Sequence, residues 1–234
     1  MTEYLSYPTT ATTPMYYPQK LAKKIIMKLS KGSAVVMAIA IACCTPALPA
    51  RAALFDGAVD RLPSSIERDS LRKGQTVVTG ERGKYVARVL ITTSTDAVWQ
   101  TLTDYGNLYK FIPNMTSSKI LESRGNRKVI EQVDSRQVFL ISIISRTKLA
   151  IQETAKKQID FRLIDGDLAK MEGYWKIEPV STAPRRPPTQ VLITYTVNAQ
   201  PNDSTPADAF YGIFKEALGG TLQAIKQEVN NRNK

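Results

Sequence analysis

Residues 205–230 read TPADAFYGIFKEALGGTLQAIKQEVN, and this stretch decides the fold. Its apolar side chains recur at the spacing of one face of an α-helix. Thr205 and Pro206 indicate the helix start, because Thr caps helix N-termini and Pro is tolerated in the first turn. The apolar stripe consists of Phe210, Phe214, Ala217, Leu218, Leu222, Ile225 and Val229. A stripe of this length needs a large apolar partner, which the rest of the chain must supply.

The region before this helix is a run of predicted strands joined by short turns. Apolar residues alternate with polar ones, as in Ile159, Phe161 and Leu163, which predicts one buried face and one wet face. Short turns exclude the crossovers that parallel strands need, so they indicate an antiparallel meander. The predicted strands are 119–123, 127–134, 137–154, 158–164, 169–178 and 190–199, with turns at 124–126, 134–135 and 165–167.

Two further strands and two short helices are predicted nearer the N-terminus. Residues 76–79 and 84–92 are rich in Val, Ile and Tyr, as strands are. Cap residues at 94–96 begin one short helix, and a second covers 105–111. Residues 53–74 form an amphipathic lead-in. The chain is therefore predicted to be α+β, with a curved antiparallel sheet wrapped around a long C-terminal helix and two short helices after the first long strand.

Several short motifs resemble the START-like (SRPBCC) superfamily, in particular its branch of polyketide cyclases/dehydrases and coenzyme Q-binding proteins. The matching residues are Thr95-Asp96, Val98-Trp99, Asp104-Tyr105, Phe111-Ile112-Pro113, Gly166-Asp167 and Gly173-Tyr174-Trp175. The resemblance implies a helix-grip, ligand-binding domain over residues 75–234. It also implies an elongated cavity between sheet and last helix, of the kind that holds lipids, quinones, sterols or polyketides.

The N-terminal residues 1–52 have the three parts of a secretory signal peptide. A lysine-rich stretch precedes the apolar run SAVVMAIAIACC at 33–44, and Ala50-Arg51-Ala52 offers a small-x-small cleavage site. Met27 opens a more typical signal peptide, so the true start is expected there. We expect export to a periplasm, a thylakoid lumen or the exterior. Lipid attachment at Cys43 or Cys44 and an uncleaved membrane anchor are the alternatives.

The candidate ligand-binding residues are the apolar and aromatic side chains expected to face the helix. They are Phe161, Trp175 and Tyr195 on strands and Phe210, Phe214 and Leu218 on the helix. The same residues would also serve as plain core. Tyr195 shares a face with Val191, Ile193 and Val197, so its hydroxyl points inward and needs a partner, such as a quinone or carbonyl oxygen.

Glu131 and the pair Gly219-Gly220 can each be interpreted in two ways. Glu131 lies between Val129 and Val133 on one strand face, where a carboxylate is either paired or functional; a structural pair is favoured. Gly219-Gly220 within the helix costs stability unless something compensates. Close helix–sheet contact is the favoured explanation, and a hinge that opens the cavity is the other.

Composition favours binding over catalysis. The chain has 32 Lys and Arg, 21 Asp and Glu, two Cys and no His. Without His, the Ser-His-Asp and Cys-His mechanisms are excluded, and no metal, cofactor or nucleic-acid motif is found. Residues 53–234 keep a net charge of +6. We therefore expect an exported carrier of a hydrophobic ligand, an isoprenoid quinone or lipid, with transient membrane contact. An aromatase/cyclase-like enzyme and an envelope assembly factor are the alternatives.

Overall fold

The computed structural model describes residues 57–138, 141–183 and 185–234. The predicted signal peptide lies outside the described residues. Eight strands and four helices cover most of the described part of the chain. The helices are α1 (Ser65–Arg72), α2 (Thr95–Leu102), the 3-10 helix (Tyr105–Lys110) and α3 (Ala207–Arg232). The strands are β1 (Val77–Glu81), β2 (Lys84–Thr92), β3 (Met115–Arg124), β4 (Arg127–Val138), β5 (Ile141–Thr154), β6 (Gln158–Gly166), β7 (Leu168–Val180) and β8 (Gln190–Pro201).

The strands form one antiparallel sheet in the order β1-β2-β8-β7-β6-β5-β4-β3. Consecutive strands from β3 to β8 are neighbours, as the short turns predicted. The segment with α2 and the 3-10 helix carries the chain from β2, near one edge, to β3 at the other. The sheet curves around α3, and the predicted α+β helix-grip fold is confirmed.

Helix α3 packs its apolar stripe on the concave face of the sheet. Leu218, Leu222, Ile225 and Val229 are buried there together with the inward-facing residues of β2 and β8. Polar contacts hold the C-terminal half: Lys226 Nζ donates to the Gly74 carbonyl oxygen at 2.6 Å. The predicted cap is wrong in detail, because Pro206 is the N-cap and the Thr205 hydroxyl instead donates to Asn202 Oδ1 at 2.8 Å.

Residues 57–74, the described part of the lead-in segment, cover the opposite, convex face of β2, β7 and β8. Val59 and Leu71 form a second apolar cluster with Leu192 of β8 and its neighbours. Arg88 of β2 also points to this face and forms an ion pair with Glu67 of α1, whose nitrogen and oxygen atoms are 2.5 Å apart. The expectation of a wet outer face is therefore wrong for these strands, because α1 shields it from solvent.

The β4–β5 hairpin is longer than predicted. A turn was expected at 134–135, but β4 continues to Val138, and Asp134 is paired with Ser145 in the middle of the ladder. A polar pair such as Asp134-Ser135 is typical of turns. Here strand pairing with β5 on one side and β3 on the other overrides that local preference.

Candidate functional site

A cavity of about 720 Å³ lies between α3 and the concave face of the sheet. Most of its wall is apolar, and side chains of α2, α3, the 3-10 helix and β3 to β8 contribute to it. The volume lies within the range of about 300–1,000 Å³ that is typical of small-molecule sites. The fold therefore leaves room for a ligand under the N-terminal and central part of α3.

All six residues predicted from the sequence line this cavity. Phe161, Tyr195 and Leu218 are buried, and Trp175, Phe210 and Phe214 are partly buried against the same core. The two helix aromatics lie one turn apart with ring centroids at 5.3 Å. The structure thus brings the six together on one surface, and their role in binding a ligand stays a prediction.

The strand aromatics form a stacked wall. The Trp175 and Tyr195 rings are parallel within 4° with centroids 3.8 Å apart, and the Phe161 ring is tilted against Tyr195 at 5.7 Å. Gly173 lies opposite Phe161 in the β6–β7 ladder. A Cβ atom there would be 2.8 Å from Phe161 Cζ, so the glycine leaves space for the Phe161 ring. Offset and stacked rings provide a rigid apolar surface for a flat or elongated ligand.

The open end of the cavity lies between the β4–β5 hairpin and the first turns of α3. Ile143 and Ile144 line this end, and their side chains are 49% and 66% exposed. Pro206 at the start of α3 also lines the cavity and is exposed. Neighbouring apolar side chains exposed at the mouth of a cavity are typical of surfaces that contact a ligand or a membrane. The rim of the cavity is therefore apolar.

Tyr105, which lines the cavity from the 3-10 helix, belongs to a partly buried polar cluster. The Tyr105 hydroxyl donates to Glu153 Oε1 at 2.9 Å, and Lys128 Nζ lies 3.3 Å from Glu153 Oε2. Burial, with the nearby Glu153 carboxylate, raises the pKa of Tyr105. Each member of the cluster has a charged or hydrogen-bonding partner, so the cluster has a structural role.

A polar strip on β4 and β5 interrupts the apolar wall. Gln132, Asp134 and Arg136 follow the buried Ile130 on the inner face of β4. Thr147 and Ser145 of β5 pair with Gln132 and Asp134 and also line the cavity. Side chains that alternate along a strand share a face every second residue. The strip therefore runs from the middle of the cavity towards its open end.

Asp134 and Tyr195 both line the cavity, and neither side chain forms a hydrogen bond with a described residue. Burial raises the pKa of the Asp134 carboxyl to about 6, and the charge of Arg136 partly offsets this effect. Burial, with the negative charge of Asp134, also raises the pKa of the Tyr195 hydroxyl. A carboxyl that titrates near neutrality in a cavity is typical of functional sites.

Sequence reasoning missed this polar strip. It assigned Asp134 to a turn and singled out Glu131, which lies on the convex face of β4 with its Oε2 3.3 Å from Nη1 of Arg146. The structural pair favoured for Glu131 is thus confirmed. The available clue was Ile130. Every second residue of a strand lies on the same face, so residues 132, 134 and 136 share the face of Ile130 if the strand continues.

The glycine pair of α3 does not make the close contact that was favoured. A Cβ atom at Gly219 would be 3.8 Å from Val78 Cγ2, an ordinary contact distance, and one at Gly220 would meet no atom within 4 Å. That explanation is wrong, because there is space for alanine at both positions. The hinge interpretation stays a prediction.

A curved antiparallel sheet that grips a long C-terminal helix over an apolar cavity defines a START-like domain. A family model described as "Polyketide cyclase / dehydrase and lipid transport" matches residues 91–226, and the chain belongs to this family. Its START-like domain is thus of a hydrophobic ligand-binding or cyclase-like type.

Three individual proteins illustrate the likeness. The ribosome association toxin RatA of Escherichia coli is 26% identical over 136 residues, which are 58% of this chain and 80% of RatA. The Zhui aromatase/cyclase from Streptomyces sp. R1128 has a TM-score of 0.50 at 17% identity, covering 64% of this chain and 94% of Zhui. The STAR-related lipid transfer protein from Xanthomonas axonopodis has a TM-score of 0.50 at 17% identity, covering 66% and 90%. These structural likenesses concern the fold alone.

Proposed function

We propose that this protein is a carrier that binds one elongated hydrophobic molecule, such as an isoprenoid lipid, in the cavity under α3. The observation that carries the proposal is the cavity of about 720 Å³ itself, with the stacked wall of Phe161, Trp175 and Tyr195 on one side. The name of the lipid transfer protein from Xanthomonas axonopodis, which shares the fold, supports the same class of ligand.

Burial of apolar surface is the expected source of affinity. Each methylene group transferred from water contributes about 0.8 kcal/mol, so a chain of about twelve carbons supplies roughly 10 kcal/mol before the cost of association. The apolar inner part of the cavity, near Leu149 and Ile225, suits such a chain. A purely polar metabolite would gain little there.

The test is to purify the protein without detergent and identify bound lipids by solvent extraction and mass spectrometry. The Ala217→Trp variant fills the cavity from α3, whereas Glu216→Trp adds the same ring on the exposed side of the helix. We expect one lipid class near equimolar amounts in the wild type and in Glu216→Trp, and a strong loss in Ala217→Trp. Equal amounts in both variants would refute a ligand in this cavity.

We further propose export and transient contact with a membrane. Residues 1–52 support export, which is checked by sequencing the N-terminus of the mature protein from fractionated cells. The exposed Ile143 and Ile144 at the rim support docking on lipid. Ile144→Glu is expected to weaken co-flotation with vesicles, while Ile66→Glu, at a 78% exposed site on α1, is not. Equal flotation of both variants would exclude the rim as the surface that contacts the membrane.

A cyclase-like enzyme is the second candidate, because Asp134 and Tyr195 place an acid or base and a hydroxyl inside the cavity. A carboxylate can remove a proton from the carbon between two carbonyl groups, and a hydroxyl can donate to the resulting enolate. The assay is deuterium exchange at that carbon in an alkyl β-diketone, followed by NMR. Catalysed exchange that Asp134→Asn abolishes favours the enzyme; exchange at the rate of buffer alone excludes it.

A further inference from the structure

The Tyr195 side chain is only 6% exposed, lines the cavity, and its hydroxyl forms no hydrogen bond with the described residues. The hydroxyl adds nothing to the stacking, because phenylalanine would pack as well against Trp175. It is therefore available to a polar group of a ligand in the cavity. Asp134 faces the same cavity, also without a hydrogen bond to any described residue.

The charges around these two groups limit what they can bind. Arg136 lies two residues from Asp134 on the same inner face of β4, and Asp167 lines the cavity from the β6–β7 turn. Asp134 and Arg136 carry opposite charges on the same face of β4, so a cationic headgroup and an anionic one each meet repulsion as well as attraction there. A neutral polar group therefore suits the site best.

The hydrogen-bonding properties of Asp134 and Tyr195 narrow the class of neutral polar ligand groups further. An ionised carboxylate only accepts hydrogen bonds, whereas a tyrosine hydroxyl both donates and accepts. A ligand hydroxyl suits either residue, because it can donate to Asp134 and can donate to or accept from Tyr195. A carbonyl or ether oxygen has no proton for Asp134 and would bring its lone pairs towards the carboxylate.

We propose that Asp134 and Tyr195 form a hydrogen-bonding subsite that selects an apolar ligand by a hydroxyl group, as in an alcohol, a phenol or a quinol, against the corresponding ketone, quinone or ether. This inference rests on the proposed carrier function. It also sets the orientation: Asp134 lies four residues, about 13 Å along the strand, from Ile130 towards the open end. The apolar tail enters first, and the hydroxyl is held nearer the rim.

The experiment compares three neutral probes of similar size: dodecanol, dodecyl methyl ether and methyl undecyl ketone. Their dissociation constants are measured on delipidated wild-type protein through the change in tryptophan fluorescence, since Trp175 lines the cavity and stacks on Tyr195. A hydrogen bond to a charged group is worth about tenfold or more in affinity, so dodecanol is expected to bind at least about tenfold more tightly than either other probe.

Variants then assign the preference to the two residues. Asp134→Asn and Tyr195→Phe are each expected to reduce the alcohol preference to less than about threefold while the ether binds as before. Glu131→Gln, on the outer face of the same strand, and Tyr174→Phe, on the outer face of β7, are matched controls that should keep the preference. Circular dichroism verifies that each variant is folded.

The outcomes separate this inference from the carrier function. If all three probes bind wild type with similar affinity, the cavity binds hydrophobic ligands but the hydroxyl subsite is refuted. Tighter binding of dodecanoate than of dodecanol also refutes it, since an anion would then be preferred. If no probe binds, the carrier function itself fails, and the subsite with it.

Discussion

Replacing Asp134 by asparagine is expected to stabilise the protein at neutral pH. Burial raises the pKa of this carboxyl from its ordinary value of 3.8 to about 6, so the folded state holds a proton that the unfolded state has already released. Between pH 4 and pH 6 the native state thus binds more protons than the unfolded chain, and the contribution of Asp134 to stability falls as pH rises. Asparagine does not titrate, so the contribution of this side chain to stability no longer depends on pH in the variant.

The difference between 3.8 and about 6 corresponds to a free energy of about 3 kcal/mol, and this is an upper limit because the side chain keeps some contact with solvent. The free energy of unfolding is measured by urea titration of wild type and Asp134→Asn at several pH values. We expect near equality at pH 4, a gain for the variant that grows by about 2 kcal/mol up to pH 6, and a plateau above pH 7.

The comparison variant is Asp203→Asn, which removes the same charge at an exposed site outside the cavity. Subtracting its effect isolates the buried carboxyl from the general change in net charge. A gain for Asp134→Asn that is the same at pH 4 and pH 8 would refute the reasoning, because it would show that the carboxyl is not titrating in the folded state. A loss of stability at neutral pH would show an unrecognised partner of Asp134.

Three further substitutions test other parts of the structure by thermal and urea unfolding. Gly220→Ala is expected to gain about 1 kcal/mol, since a Cβ there meets no atom within 4 Å; a loss would mean that the helix needs this glycine. Gly173→Ala should lose about 1–3 kcal/mol, because its Cβ would be 2.0 Å from the Thr196 carbonyl oxygen; unchanged stability would contradict the close approach. Tyr105→Phe should lose about 1–2 kcal/mol with the hydrogen bond to Glu153, and no loss would show that the bond contributes nothing.

Periodicity predicted the parts of the fold in which packing and sequence pattern agree. The stripe from Phe210 to Val229 is helical because its apolar residues face the sheet every three or four positions, and the structure has that helix at Ala207–Arg232. The alternation of Ile159 and Phe161 likewise marks the inner face of β6. In both cases the apolar side is the buried side, so the local sequence pattern is enough to predict the element and its inner face.

The inner wall of the cavity could not be predicted in this way. On β4 the residues that face inward after Ile130 are polar, while Val129 and Val133 lie on the convex face. Alternation assumes that the inner side is a packed core, and beside a cavity that assumption fails. Alternation therefore predicts the wrong inner face for β4, and it places Asp134 in a turn although this residue lines the cavity.

Two features that cost stability lie at the cavity. Asp134 is partly buried and forms no hydrogen bond with a described residue, and Ile143 and Ile144 are exposed at the rim. Each of these would be replaced easily if stability alone were at stake, since asparagine or a polar rim residue would remove the cost.

On the other side of the sheet, by contrast, α1 and β8 are packed closely around Leu71 and Leu192. Polar groups that face a cavity without a hydrogen-bonding partner are expected in a binding site, because a ligand that supplies the missing contacts stabilises the folded state by mass action. The half of the domain that contains the cavity is therefore the half whose stability depends on a bound ligand.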